Sequence, residues 1–228
     1  MSLLRHIPNA LTCANLVCGC FGIISLFTNT VEPAYFIWAA CVFDFFDGFA
    51  ARLLKVSSPI GKELDSLADV VSFGVLPALA MYTWIGVESV HTYLPYVAIL
   101  IAVFSAWRLA KFNIDENQSD SFIGVPTPAN ALFISALPFL PEALRIAVFS
   151  PYVLAAIAIV FSLLLVAPLP LFALKFKSFS WQGNQPRFTF LAVSVLLLAA
   201  FHAGAIPFII LFYIGISLGS RLAGVETK

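Results

Sequence analysis

A chain of 228 residues that is 61% hydrophobic and only 11% charged, with mean hydropathy +0.98, is too apolar for an ordinary soluble domain. Its 12 Lys and Arg balance 12 Asp and Glu, so no net positive field exists to draw a nucleic-acid partner. What remains is an all-α polytopic membrane helix bundle, a single integral membrane domain over residues 1–228 with no room for a separate soluble one.

Arg5 and His6 precede an apolar run that Pro8, Asn9, Thr12 and Asn15 interrupt. No small-residue cleavage site is obvious, so the run reads as a retained first helix rather than a signal peptide. Windows long enough to span, or nearly so, fall at about 9–28, 34–54, 64–85, 94–112, 127–141, 151–173, 187–202 and 205–221. The fifth, seventh and eighth are short, and Pro138 and Pro141 break the fifth. The expectation is about eight transmembrane helices, or six to seven if short segments are re-entrant. With both termini cytoplasmic, eleven of the 12 Lys and Arg fall on the cytoplasmic side and only Arg145 lies outside, as the positive-inside rule requires. Cys13, Cys18, Cys20 and Cys41 lie in apolar segments without a C-x-x-C pair and read as packing residues. His6, His91 and His202 are scattered and carry no assigned chemistry.

Residues 41 to 74, CVFDFFDGFAARLLKVSSPIGKELDSLADVVSFG, place Asp44, Asp47, Asp65 and Asp69 in apolar sequence, where carboxylates are expensive and functional by default. At about 100° per residue Asp44, Asp47, Gly48, Ala51 and Arg52 share one helix face, and Gly61, Asp65 and Asp69, spaced by four, share another. The linker from Lys55 to Lys62 is short, so the two helices are antiparallel neighbours and the aspartates can meet. Converging carboxylates repel strongly in a low dielectric, and divalent cations with oxygen ligands, Mg²⁺ or Mn²⁺, relieve that repulsion. Two such ions can clamp a diphosphate and stabilise its leaving oxygen. Gly48 and Ala51 leave room for a phosphate or nucleotide, and Arg52 can pair with phosphate or with an aspartate. The plainer alternative is that the aspartates form salt bridges with Arg52, Lys55 and Lys62.

The spacing D-x-x-D-G-x-x-A-R followed by G-x-x-x-D-x-x-x-D resembles the signature of the CDP-alcohol phosphatidyltransferase family, with Asp44, Asp47, Gly48, Ala51, Arg52, Gly61, Asp65 and Asp69 all present. The resemblance implies two divalent ions on Asp44, Asp47 and Asp65, with Asp69 as the general base and a possible further ligand. It also implies a bundle that opens its pocket to the cytoplasm, and a homodimer. Three further stretches look like the membrane-embedded phosphatidylserine synthase branch: residues 7–19, residues 63–77, and FSAWRLAKFN at 104–113 followed by GVPTPANA at 124–131. The resemblance covers roughly the first 135 residues, which are taken as the catalytic core. It implies CDP-diacylglycerol and L-serine as substrates, phosphatidylserine and CMP as products, and a role in phospholipid biosynthesis, in a prokaryotic inner membrane among membrane lipids. Asn9, Thr12 and Asn15 are then nucleotide or headgroup contacts, and Gly48, Ala51, Arg52 and Gly61 belong to the CDP-diacylglycerol pocket. Arg108 and Lys111, three apart on one helix, can receive the serine carboxylate or the diphosphate, with Asn113 and Thr127 beside them. Positive-inside anchoring explains the two cations equally well. The same chemistry on glycerol phosphate or inositol phosphate is an alternative, and an ion- or proton-coupled transporter a more distant one.

Overall fold

The computed structural model describes residues 6–56, 58–114, 121–172 and 184–222. Of the expected cytoplasmic cations, Arg5, Lys175, Lys177 and Lys228, together with the Arg221 side chain, lie outside what is described. Helix α1 (Ile7–Thr28) and α2 (Pro33–Leu54) form an antiparallel pair, each with proline in its first turn, where a missing N–H costs nothing. Helix α3 (Pro59–Asp69) is capped by Ser58, whose hydroxyl accepts the Gly61 N–H at 3.0 Å. It continues through one π turn (Val70–Val75) into α4 (Leu76–Glu88). A 3₁₀ turn leads into α5 (Ile99–Ile114), followed by α6 (Thr127–Ser135), α7 (Glu142–Val148), α8 (Pro151–Val166), α9 (Gln185–Phe201) and α10 (Ile206–Leu222).

Among the described residues five runs are long and apolar enough to cross a membrane: Ile7–Thr28, Pro33–Leu54, Pro59–Val87, Leu94–Ile114 and Gln185–Ser220. A sixth is added if the pair Thr127–Phe139 and Glu142–Val148, bent by 116°, is one span. The molecule is therefore an integral membrane protein, but length does not yield the expected count of about eight. Two features explain the difference. Helix α8 has only 16 residues. The last run folds back on itself: the Phe190 ring lies 6.3 Å from Phe212 and 5.6 Å from Tyr213, whereas a straight helix would hold them about 33 Å apart. His202, at φ 49° and ψ −131°, makes the turn between two arms of 17 residues each. Each hydropathy window overlaps a helix, though the one at 151–173 runs past the end of α8 at Val166, and several of these helices are too short to span by length alone.

Among the described residues the all-helical expectation holds but for a ribbon of two three-residue strands, in which β1 (Ser121–Ile123) pairs antiparallel with β2 (Pro170–Phe172). Gly124 follows at φ 77°, and a Cβ there would sit 2.3 Å from the Leu165 carbonyl oxygen. Only glycine fits this approach. The Val125 N–H then donates to Leu164 O at 2.9 Å, fixing the start of α6 against the end of α8.

The main core packs Met81, Ile85, Ile101, Ile134, Leu137 and Leu154 between α4, α5, α6 and α8. A second cluster, Ile37, Ala40, Phe73, Leu76 and Ala131, joins α2, the π turn and α6. Gly19 lets α1 reach the π turn, since a Cβ there would lie 2.4 Å from Ser72 Oγ. Small residues at such crossings are how membrane helices come close. Many large apolar side chains, Phe45, Phe46 and Phe49 among them, face outward, as a lipid-solvated bundle requires.

Candidate active site

Between the second half of α2 and the second half of α3, the carboxylates meet. Asp44, Asp47 and Asp65 each offer an oxygen within 4.8 Å of the others'. Helix α1, which carries no acid, supports them from the side. Thr12 Oγ1 donates to Asp47 Oδ2 at 2.7 Å, and Asn15 Nδ2 donates to Asp69 Oδ1 at 3.0 Å. Ser72 Oγ in turn donates to the Asn15 carbonyl at 3.0 Å, tying the support to the π turn. Asp69 stands outside the trio and is buried, as is Asp47.

Among the described residues no ion pair joins any of the four aspartates to Arg52, Lys55 or Lys62. The salt-bridge alternative is therefore absent from this geometry, and the carboxylates face one another. Asp65 Oδ1 is buried without a hydrogen-bond partner. Three clustered carboxylates, one of them with an orphaned oxygen, form the hard anionic donor set that suits a divalent metal ion.

A cavity of about 510 Å³ opens beside the trio. Asn9 and Thr12 of α1, Asp47, Gly48 and Ala51 of α2, and Gly61 and Asp65 of α3 line it, as do Lys55, Ser58 and Lys62 of the connecting turn and the first turn of α3. A Cβ at Gly48 would meet nothing closer than Arg52 at 3.7 Å, so that wall is open. At Gly61 a Cβ would press Asn9 Oδ1 and Ser58 Oγ at 3.0 Å, so that glycine serves close packing. Arg52 is exposed and does not line the cavity.

Sequence reasoning cast Lys55 and Lys62 only as salt-bridge partners, yet both line the cavity. Lys55 closes α2 in the left-handed region, at φ 51°, uncommon for a side chain of its size. Asn15, grouped with the substrate contacts, instead holds Asp69; its spacing of three from Thr12 was the available sign. The four other expected residues separate into two places. Arg108 and Thr127 are buried and bonded, guanidinium to hydroxyl at 3.1 Å. Lys111 is exposed. The Asn113 side chain donates to Ser66 Oγ at 2.9 Å and to Glu63 at 3.4 Å, while its carbonyl accepts from Lys62 Nζ at 2.5 Å.

A family model described as CDP-alcohol phosphatidyltransferase matches residues 5–167. The chain belongs to that family. The match takes in the aspartate trio, Asp69, the cavity, and the Arg108–Thr127 pair. Relatives in this family carry the name CDP-diacylglycerol–serine O-phosphatidyltransferase. The Bacillus subtilis (strain 168) protein is 38% identical over 141 residues, 60% of this chain and 77% of its own length. The Helicobacter pylori (strain J99) protein is 39% identical over 130 residues, 56% of this chain and 54% of its own. The Saccharomyces cerevisiae protein is 34% identical over 151 residues, 59% of this chain and 54% of its own. The chain thus aligns with most of the Bacillus protein and about half of the other two.

Proposed function

We propose that this CDP-alcohol phosphatidyltransferase is a phosphatidylserine synthase, transferring the phosphatidyl group from CDP-diacylglycerol to the hydroxyl of L-serine. The observation that carries the reading is the trio of unpaired carboxylates beside a cavity whose rim bears two lysines. The names of the relatives support serine as the acceptor.

Asp44, Asp47 and Asp65 would hold the metal, Mg²⁺ or Mn²⁺, with two ions as the family resemblance implies. When bound, such ions polarise the diphosphate and offset the charge that develops on the leaving phosphate. Thr12 orients Asp47 through its 2.7 Å hydrogen bond. Lys55, Lys62 and the N-terminal turn of α3 hold the nucleotide's phosphate, where the two ammonium groups and the helix dipole favour anions. Gly48 and Ala51 admit the nucleotide along the open wall, with Asn9 at the opposite side. Asp69, oriented by Asn15, takes the proton as the serine oxygen attacks. The new O–P bond forms to the phosphatidyl phosphorus, the P–O bond to the nucleotide breaks, and CMP leaves with the bridging oxygen. The hydroxyl that adjoins the trio, that of Thr12, is committed to Asp47 by a hydrogen bond, which favours direct displacement with inversion at phosphorus. Arg108 and Thr127 take the serine carboxylate, while Arg52, Lys111 and Asn113 occupy the outer approach.

We read residues 1–228 as one domain with its catalytic core within about 1–135, both termini and the cavity facing the cytoplasm of a prokaryotic inner membrane. The cation distribution supports this orientation. The family resemblance supports a homodimer.

The test is CMP release and lipid product from purified protein, CDP-diacylglycerol, Mg²⁺ or Mn²⁺, and a panel of alcohols. The expected result is serine-dependent release that is lost without metal and in Asp69→Asn. Release with another alcohol alone would overturn serine as the acceptor, and no release with any would overturn the transferase reading.

A further inference from the structure

Among the described residues seven buried side-chain atoms lack a hydrogen-bond partner, and six of them belong to the site or its flank: Asn15 Oδ1, Asp65 Oδ1, Ser105 Oγ, Arg108 Nε and both amide atoms of Asn130. Asn130 is the extreme case, being 0% exposed with neither its donor nor its acceptor used. A leucine there would avoid the desolvation cost entirely, and in hydrocarbon that cost is at its highest. An unsatisfied amide at such a position calls for a partner that arrives.

The neighbours of α6 show where the amide points. Thr127 faces α5 and accepts from Arg108. Ala131 packs with Ile37 and Ala40 of α2, and Ser135 accepts from Trp38 Nε1 of α2 at 3.0 Å. Phe133 stacks on Phe161 of α8 at 3.9 Å. At about 100° per residue Asn130 lies between the directions of Thr127 and Phe133, away from α2 and toward the seam of α5 and α8. It is one turn deeper than Thr127, as Ser105 is one turn deeper than Arg108. Ser105 sits against Gly74 of the π turn, where a Cβ would lie 3.1 Å from its own. Arg108, one turn from Ser105, is near enough to Asp69 to feel its charge.

Resting on the serine-acceptor reading above, we propose that Asn130 is a specificity-determining residue that binds the acceptor's ammonium group through its side-chain carbonyl, while Arg108 and Thr127 bind the carboxylate. A zwitterion satisfies both charge signs at once and enters a buried site at lower cost than either ion alone. An acceptor bearing phosphate would leave the Asn130 carbonyl unmet. The hydroxyl of a serine so held is left to face Asp69.

The test compares wild type and Asn130→Ala with L-serine as the substrate and 3-hydroxypropanoate, which lacks the amine, as the competitor. Asn130→Ala should raise the KM for serine at least about tenfold. The KM for CDP-diacylglycerol and the inhibition constant of 3-hydroxypropanoate should stay within about twofold. Asn130→Leu should match or exceed wild type in thermal midpoint while losing serine affinity, which separates binding from folding. If Asn130→Ala does not fold, Asn130→Ser takes its place, and a variant that loses CDP-diacylglycerol binding and stability together marks a structural role and overturns the assignment. Serine turnover by the wild type with an unchanged KM in the variant overturns the Asn130 assignment alone. A wild type that uses another alcohol and not serine overturns the acceptor reading instead.

Discussion

Asn15 donates its side-chain amide to Asp69 Oδ1 at 3.0 Å from a helix that carries no aspartate of its own. Both residues are buried, and the Asn15 backbone is held by Ser72. A base needs its lone pair aimed as much as it needs its charge. Asn15→Leu should lower kcat about 10–100-fold with the KM for CDP-diacylglycerol little changed, because a hydrogen bond to a carboxylate is lost rather than a substrate contact. Steady-state kinetics with each substrate varied in turn checks this, and a change confined to KM would count against the positioning role.

Thr12 stands to Asp47 as Asn15 does to Asp69. Thr12→Val removes the 2.7 Å donor and little volume. Mn²⁺ affinity, followed by electron paramagnetic resonance, should fall about 10–100-fold, and Thr12→Ser should restore most of it. Unaltered affinity would show that Asp47 needs no orientation.

Chelation should abolish CMP release, and Mg²⁺ or Mn²⁺ should restore it. Asp44→Asn and Asp65→Asn should each lower turnover about a hundredfold or more and weaken metal binding. Near-normal turnover in either would remove that residue from the trio's function.

Lys55 lines the cavity without an acid partner among the described residues. Lys55→Ala should raise the KM for CDP-diacylglycerol about tenfold and leave the KM for serine unchanged. Lys62→Ala should do the same and also lower the thermal midpoint, since Lys62 ties α3 to the Asn113 carbonyl of α5. An effect on serine alone would reassign the lysines to the acceptor.

Gly19→Val should cost about 1–3 kcal/mol or more, because a Cβ there already falls 3.0 Å from the Ser72 Cα, on backbone that cannot swing aside. A thermal melt in detergent reads the loss directly; a midpoint equal to wild type would mean that α1 can shift.

The membrane class, the helix pair and the aspartate pattern were legible because each rests on short-range regularities: hydropathy, a spacing of three or four, and a short linker. The supporting bonds from α1 were less so, because nothing local to Asn15 says which distant acid it meets. Arg108 and Lys111 looked alike at three residues apart, yet one is buried against Thr127 and the other exposed. That difference comes from how α6 packs, which Gly124 fixes through a contact with α8 more than 40 residues away. The hydropathy windows could not separate a helix that crosses from one that folds back, as the run from α9 to α10 does at His202.

The π turn at Val70–Val75 lets this protein carry one residue more between α3 and α4 than an ordinary helix with the same facing would hold. One apolar residue can replace another in that stretch without moving an aspartate. Wound at the ordinary repeat, the same six residues would rotate α3 by about 100° relative to α4, with hydropathy unchanged. Asp65 and Asp69 would then turn away from Asp44 and Asp47 while every span still read as a span. Across a lineage, a gap of one residue in these six positions would mark a descendant whose plain helix still turns Asp65 and Asp69 toward Asp44 and Asp47.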